Sequence, residues 1–253
     1  MILTSYTPAP ARGEHRLAPS LRQVIRDADR YAPRSQQRAL GPSEVGEPCP
    51  RRLAYRLLDA ERTNSDSDPW AAIVGTAVHA WLAAAFLGAN DRLGRIRYLV
   101  ETRLEIRPGL TGSCDLYDAD EATVIDHKIL GPTTMKAYSQ NGPPPAYRAQ
   151  AHLYGLGWTR LGVPVRDVAL AFYPRSGLLS GLRVWSEPYN PGTAQAALDR
   201  HDQILALADA LGCEHNPTAY QHIPRIPGHS CTYCPWLRPG PDTGTACPGH
   251  LAP

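Results

Sequence analysis

The stretch Gly112 to Gly131, GSCDLYDADEATVIDHKILG, constrains this chain more than any other. Two period-two segments, 111–118 and 123–130, flank the acidic turn residues Ala119, Asp120 and Glu121. This pattern predicts an antiparallel hairpin with a four-residue loop, 119–122. In that register Asp115 stands directly opposite Asp126, and opposed side chains share one face with Cβ atoms roughly 4.5–5.5 Å apart. Lys128, two residues beyond Asp126, points to the same face, whereas Ile125 and Ile129 point the other way, into the core. Two facing carboxylates repel, and a divalent cation relieves the repulsion. Hard Mg²⁺ or Mn²⁺ suits carboxylate oxygens and keeps waters, one of which can act as a nucleophile. The lysine can orient that water or neutralise charge in a transition state. Read without chemistry, the same residues form a surface hairpin with an Asp126–Lys128 salt bridge.

Lysine is scarce elsewhere. The chain has 24 Arg but only Lys128 and Lys136, a bias that GC-rich codon usage explains. An Arg is too bulky and too firmly protonated to replace Lys128 freely; Lys136 falls in the following loop. With a net charge of +2, any nucleic-acid contact must come from local patches. The 253 residues are 43% hydrophobic, enough for one large or two small domains and too apolar for a disordered chain. No run of 18 apolar residues predicts a membrane span, and the N-terminus lacks a secretory signal pattern. An intracellular, cytoplasmic protein is therefore expected, whose six cysteines are metal ligands or buried thiols rather than disulfides.

Residues 1–42 read as an Arg/Pro-rich arm with a helix from Ser20 to Tyr31. Residues 43–212 read as the main α/β core. A helix capped by Ser43 runs to Leu58, and an almost wholly apolar buried helix spans Pro69 to Phe86, with His79 in its middle. Strands follow over Arg95–Arg107, then the hairpin, then a helix over Ala146–Leu161. A hairpin of Val165–Tyr173 and Leu179–Glu187 precedes an amphipathic helix over Thr193–Leu211. Residues 213–253 are rich in Pro, Gly, His and Cys and cannot build a core alone.

The Asp115, Asp126-His127-Lys128 array resembles the core of the PD-(D/E)XK nucleases, in their RecB-like branch. Gly75-Thr-Ala-Val-His79 resembles that branch's G-x-x-x-H helix, and Gln150-Ala-His-Leu-Tyr154 its Q-x-x-x-Y helix. Cys49-Pro-Arg-Arg and Cys231-x-x-Cys234 with Cys247 resemble the cysteines of members that carry an iron–sulfur cluster, among them CRISPR-associated and phage exonucleases. The resemblance implies a restriction-endonuclease-like α/β (α+β) core with a mixed central sheet flanked by helices. It implies a cation held by His79, Asp115 and Asp126, with Gln150 and Tyr154 holding the lysine or a DNA phosphate. Asp126 stands where the family usually has Glu, keeping the charge on a shorter arm. The gap from Cys234 to Cys247 is longer than the family pattern.

Cys231 and Cys234 form a metal knuckle in a coreless segment. Joined by Cys49 and Cys247, they suit a [4Fe–4S] cluster clasping the N- and C-terminal regions. Joined instead by Cys247 and His250, they suit zinc within one short segment. Cys114 reads as a buried thiol, and Cys213 as a helix-end residue.

The expected function is Mg²⁺- or Mn²⁺-dependent hydrolysis of DNA phosphodiesters from single strands or ends, in recombination, repair or CRISPR-type processing. Arg51 and Arg52 are expected DNA contacts, and recombination or CRISPR adaptation proteins are expected partners. The competing expectation is a non-catalytic DNA-binding or assembly module with a zinc knuckle on a degenerate nuclease fold.

Overall fold

Proline and glycine punctuate the helices. Five of them start on Pro at the first turn: α2 (Pro42–Val45), α3 (Pro50–Leu57), α5 (Pro132–Asn141), α6 (Pro145–Arg160) and α7 (Pro191–Ala210). Proline is pre-set for helical φ there, and its missing N–H would have been unpaired anyway. The structure, a computed structural model, describes residues 17–32, 40–64 and 68–249. The chain divides into two units, Met1–Arg38 and Ala39–Pro253. In the first, α1 (Leu17–Arg30) is amphipathic, with Leu17, Leu21 and Val24 exposed. The rest of the Arg/Pro-rich arm, 1–16 and 33–39, lies outside the described residues.

The second unit is built on a five-stranded mixed sheet in the order β1-β2-β3-β4-β5. Its strands are β1 (Tyr98–Arg107), β2 (Leu110–Asp118), β3 (Thr123–Leu130), β4 (Asp167–Pro174) and β5 (Arg183–Pro188). Neighbours are antiparallel except β3 and β4, which are parallel and joined through α5 and α6. A parallel pair needs a long crossover, and these helices supply it. The fold is thus the mixed α/β arrangement expected, a five-stranded sheet flanked by helices.

One sheet face is covered by α6, which brings Leu153, Tyr154 and Trp158 onto Leu104, Val124 and Leu170. Burying such side chains contributes about 1.5–3 kcal/mol each. A second cluster joins Leu53 and Tyr55 of α3 and Ile204 of α7 to Tyr220, Ile223 and Trp236 of the C-terminal segment. Tyr55 stacks on Trp236 with ring centroids 4.8 Å apart. The coreless tail thus borrows its core from α3 and α7.

Several expectations are corrected. The helix from Ser43 to Leu58 is two helices, α2 and α3, broken around Pro48 and Pro50, and Gly41 rather than Ser43 is the N-cap. The apolar helix α4 (Trp70–Leu93) runs seven residues past Phe86, and Leu82 is its one buried residue. Its 24 residues hold an 18-residue window of mean hydropathy 1.7, long and apolar enough to cross a membrane by length and composition alone. Lys136 lies on helix α5 rather than in a loop. Ile125 and Ile129 are only half-buried, because the main core lies on the opposite face of β3, under α6.

Candidate active site

The β2–β3 ladder has the register expected from the hairpin: Leu116 pairs with Ile125, Tyr117 with Val124 and Asp118 with Thr123. The paired ladder ends at Leu116–Ile125, one step before Asp115 and Asp126. At that opening Asp115 Oδ2 accepts the backbone N–H of His127 at 2.7 Å. Helices α4 and α6 reach the opening from opposite faces of the sheet.

From α4, His79 places Nδ1 3.5 Å from Asp115 Oδ1. Phe86, seven residues on and so on the same helix face, stacks against His127 at 5.7 Å. Tyr173 of β4 closes the other side of the His127 ring at 5.4 Å. Burial pushes His127 down to about 4, so it is a neutral packing residue. From α6, Gln150 Oε1 accepts from Lys128 Nζ at 2.9 Å, and the Tyr147 ring lies 4.6 Å from the same ammonium. The Tyr154 hydroxyl partners Gln150. The i, i+4 spacing of Gln150 and Tyr154 therefore forms a relay behind the lysine.

The carboxyl groups differ sharply. Asp126 is 1% exposed, and neither oxygen accepts a well-aligned hydrogen bond among the described residues. Its main compensation is Lys128, with Nζ 2.7 Å from Oδ2. Burial raises the Asp126 carboxyl, Lys128 lowers it and Asp115 raises it again, leaving it at about 6. Burial also raises Asp115, but the hydrogen bond and charge of His79, the His127 N–H and Lys128 outweigh it and hold that carboxyl low. Asp115 in turn raises His79. Environments that push paired titrating groups apart are typical of catalytic sites.

The buried Asp126 carboxylate, with Oδ1 unpartnered among the described residues and Oδ2 meeting Lys128 alone, is an observation that a divalent cation would answer. So is the donor chemistry of a neighbouring group: His79, Asp115 and Glu101 place donor atoms within 4.8 Å of one another, and Asp126 is not part of that group. Glu101, on β1, was missed by the sequence reading. The β1–β2 turn at Pro108-Gly109 hinted at its pairing, but a register shift between Glu105 and Arg107 displaces the alignment by one residue.

At the other end of the unit, Cys49, Cys231, Cys234 and Cys247 line one cavity with Arg51, Arg52 and Tyr55, enclosing about 380 Å³ of atom-free space with its mouth included. The Ile226 N–H points at Cys49 Sγ, 3.5 Å away. Gly249, at φ 55°, passes so close that a Cβ there would lie 3.3 Å from Cys231 Sγ. His250, the rival ligand, lies outside the described residues. Cys114 is a buried thiol as expected, beneath Trp158 Nε1 at 3.4 Å, and Cys213 is buried at the end of α7.

Arg51 does not stand where a DNA contact is expected. It is 3% exposed, and its guanidinium donates to Ile223 O, Gln221 O and the Asp242 carboxylate. Its charge holds the C-terminal segment to α3. Arg52 is half-buried, 3.4 Å from Glu47. His152, on the far side of α6, is buried between Glu187 at 2.8 Å and the Asn190 N–H at 3.2 Å, a structural role.

Residues 92–238 match the PD-(D/E)XK nuclease superfamily, and the chain belongs to it. Among solved structures it resembles an alkaline exonuclease, LHK-Exo, from Laribacter hongkongensis. That match has 13% identity and TM-score 0.46, over 70% of this chain and 91% of the other. LHK-Exo in complex with dAMP gives 15% identity and TM-score 0.47, over 70% and 90%. A phage-related exonuclease from Haemophilus somnus 129PT gives 14% identity and TM-score 0.44, over 65% and 81%. No curated protein sequence matches the chain.

Proposed function

We propose that this protein is a Mg²⁺- or Mn²⁺-dependent DNA exonuclease with its active site at the β2–β3 opening. The observation that carries the reading is the buried carboxylate of Asp126, whose Oδ1 has no partner among the described residues, beside Asp115 and Lys128. His79, Asp115 and Asp126 would hold the cation. When bound, it supplies Lewis-acid activation of a phosphodiester oxygen and of water. The residues do the rest. Asp115 is ionised and fixed by the His127 N–H, so its free valence is directed rather than solvated. Lys128 is held by Gln150 and Asp126, which leaves its remaining donor capacity to orient the attacking water or to meet charge on the phosphate. Tyr154 and Gln150 position the ammonium without touching the reacting atoms.

The same proposal includes a [4Fe–4S] cluster on Cys49, Cys231, Cys234 and Cys247, clasping α3 to the C-terminal segment. Support comes from the shared cavity and from Cys49, which a zinc site local to the tail leaves unused. A role in recombination, repair or CRISPR-type processing, and a place in the cytoplasm, belong to this proposal through the family resemblance.

The test compares end-labelled linear DNA with covalently closed single-stranded circles, incubated with Mg²⁺, with Mn²⁺ or with EDTA. Cation-dependent loss of linear DNA with intact circles is the expected result. Binding without degradation in either cation supports the non-catalytic module instead, and cleavage of the circles overturns the exonuclease assignment.

A further inference from the structure

We infer that Glu101 is a direct protein donor to the divalent cation, alongside His79, Asp115 and Asp126; this rests on the cation site proposed above. On β1, Val100 pairs with Leu116 and Thr102 with Cys114, so Glu101 falls opposite Asp115. Asp126 falls opposite Asp115 on the other side, by extension of the β2–β3 register. Three carboxylates therefore cross three adjacent strands at one level of the sheet.

Both strands are distorted at this level. Glu101 has φ 45°, a left-handed conformation that a side chain inside a strand rarely adopts. On β1, Leu99 and Leu104 are five residues apart yet pack into the same core; on β2, Cys114 and Tyr117 are three apart and do likewise. Strict alternation would put the members of each pair on opposite faces. The alternation reverses once in each strand, between those residues, where Glu101 and Asp115 face each other.

The product of that distortion is a group of three donor atoms, from His79, Glu101 and Asp115, within 4.8 Å of one another. Ligands of one octahedral ion with bonds of about 2.1 Å stand about 3.0 Å apart in cis and about 4.2 Å apart in trans, so small side-chain shifts bring all three donors within reach of one cation. Asp126 is the independent sign that a ligand belongs here: it is 1% exposed, its Oδ1 has no partner among the described residues, and its Oδ2 meets Lys128 alone.

Glutamate distinguishes this assignment from the cation site itself, because the other three donors are a His and two Asp residues. The test is wild-type protein made by cell-free synthesis with ¹³C-carboxyl glutamate or, separately, ¹³C-carboxyl aspartate, loaded with Mn²⁺ and measured by pulsed electron–nuclear double resonance. Both labels are expected to give the ¹³C coupling of a directly bound carboxylate. The glutamate coupling is expected to vanish in Glu101→Gln, with Mn²⁺ affinity weakened about tenfold or more. Coupling from aspartate alone overturns the Glu101 assignment and leaves the cation site standing. Coupling from neither label overturns the cation site, and Glu101 with it.

Discussion

Lys128 Nζ lies 2.7 Å from Asp126 Oδ2, yet the buried carboxyl is still displaced to about 6. A single ammonium does not balance a carboxylate removed from water beside a second carboxylate, because desolvation costs more than one imperfect ion pair returns. Protein charge alone therefore leaves the carboxylate pair incompletely balanced. Lys128 is also shared with Gln150, whose Oε1 accepts from it at 2.9 Å.

Asp126 gives a signed pH dependence. A carboxyl whose folded pKa exceeds its unfolded value of about 3.9 binds its proton better when folded. It subtracts stability as pH rises between those two values and no further above them. In EDTA, the melting temperature of Asp126→Asn relative to wild type should therefore climb between about pH 4 and about pH 7. A difference that stays flat or shrinks over this range contradicts the assignment.

Cation binding should release a proton. Asp115 raises His79 above the usual imidazole value, and a protonated ring cannot donate to a metal. Calorimetric titration with Mn²⁺ near neutral pH, in two buffers of different ionisation enthalpy, should show net proton release that disappears in His79→Ala. Equal release in both proteins excludes His79 as the source.

Gly112 is a steric keystone between β2 and the elements above it. A Cβ there would lie 2.6 Å from Pro42 Cδ and 3.1 Å from the Tyr154 hydroxyl. A proline ring cannot swing aside, so Gly112→Ala should cost about 1–3 kcal/mol on chemical denaturation. A change below about 0.5 kcal/mol would falsify that close packing.

The clasp makes a visible prediction. Anaerobically purified wild type should be brown with iron and inorganic sulfide, and Cys49→Ser should lose colour and cooperative unfolding of the C-terminal segment. Colourless protein with stoichiometric zinc, unaffected by Cys49→Ser, sinks the cluster.

The hairpin was legible because its register follows from two alternating segments and one short loop. Asp115, Asp126 and Lys128 needed nothing else to be placed together. Gln150 and His79 were reached through motif resemblance, since no local pattern says which helix faces the β2–β3 opening. Glu101 was hidden by the register shift at Glu105–Arg107 and by its left-handed backbone, neither of which leaves a mark in residue alternation. Arg51 was misjudged for a different reason. Its sequence context shows a cation near a cysteine but not the carbonyls of Gln221 and Ile223 that consume it, about 170 residues away. The length of α4 was underestimated because Gly88, Asn90 and Asp91 look like a helix end, whereas the chain continues to a left-handed Gly94 cap at φ 66°.

The central claim is that Lys128 serves chemistry on a phosphodiester beside paired carboxylates. Its most direct test measures the single-turnover degradation rate of linear DNA with Mn²⁺ for wild type and Lys128→Ala, with Mn²⁺ affinity measured on the same samples. The account predicts a loss of roughly 10²–10⁴-fold in rate with cation binding retained. An unchanged rate in a variant that still binds Mn²⁺ contradicts it.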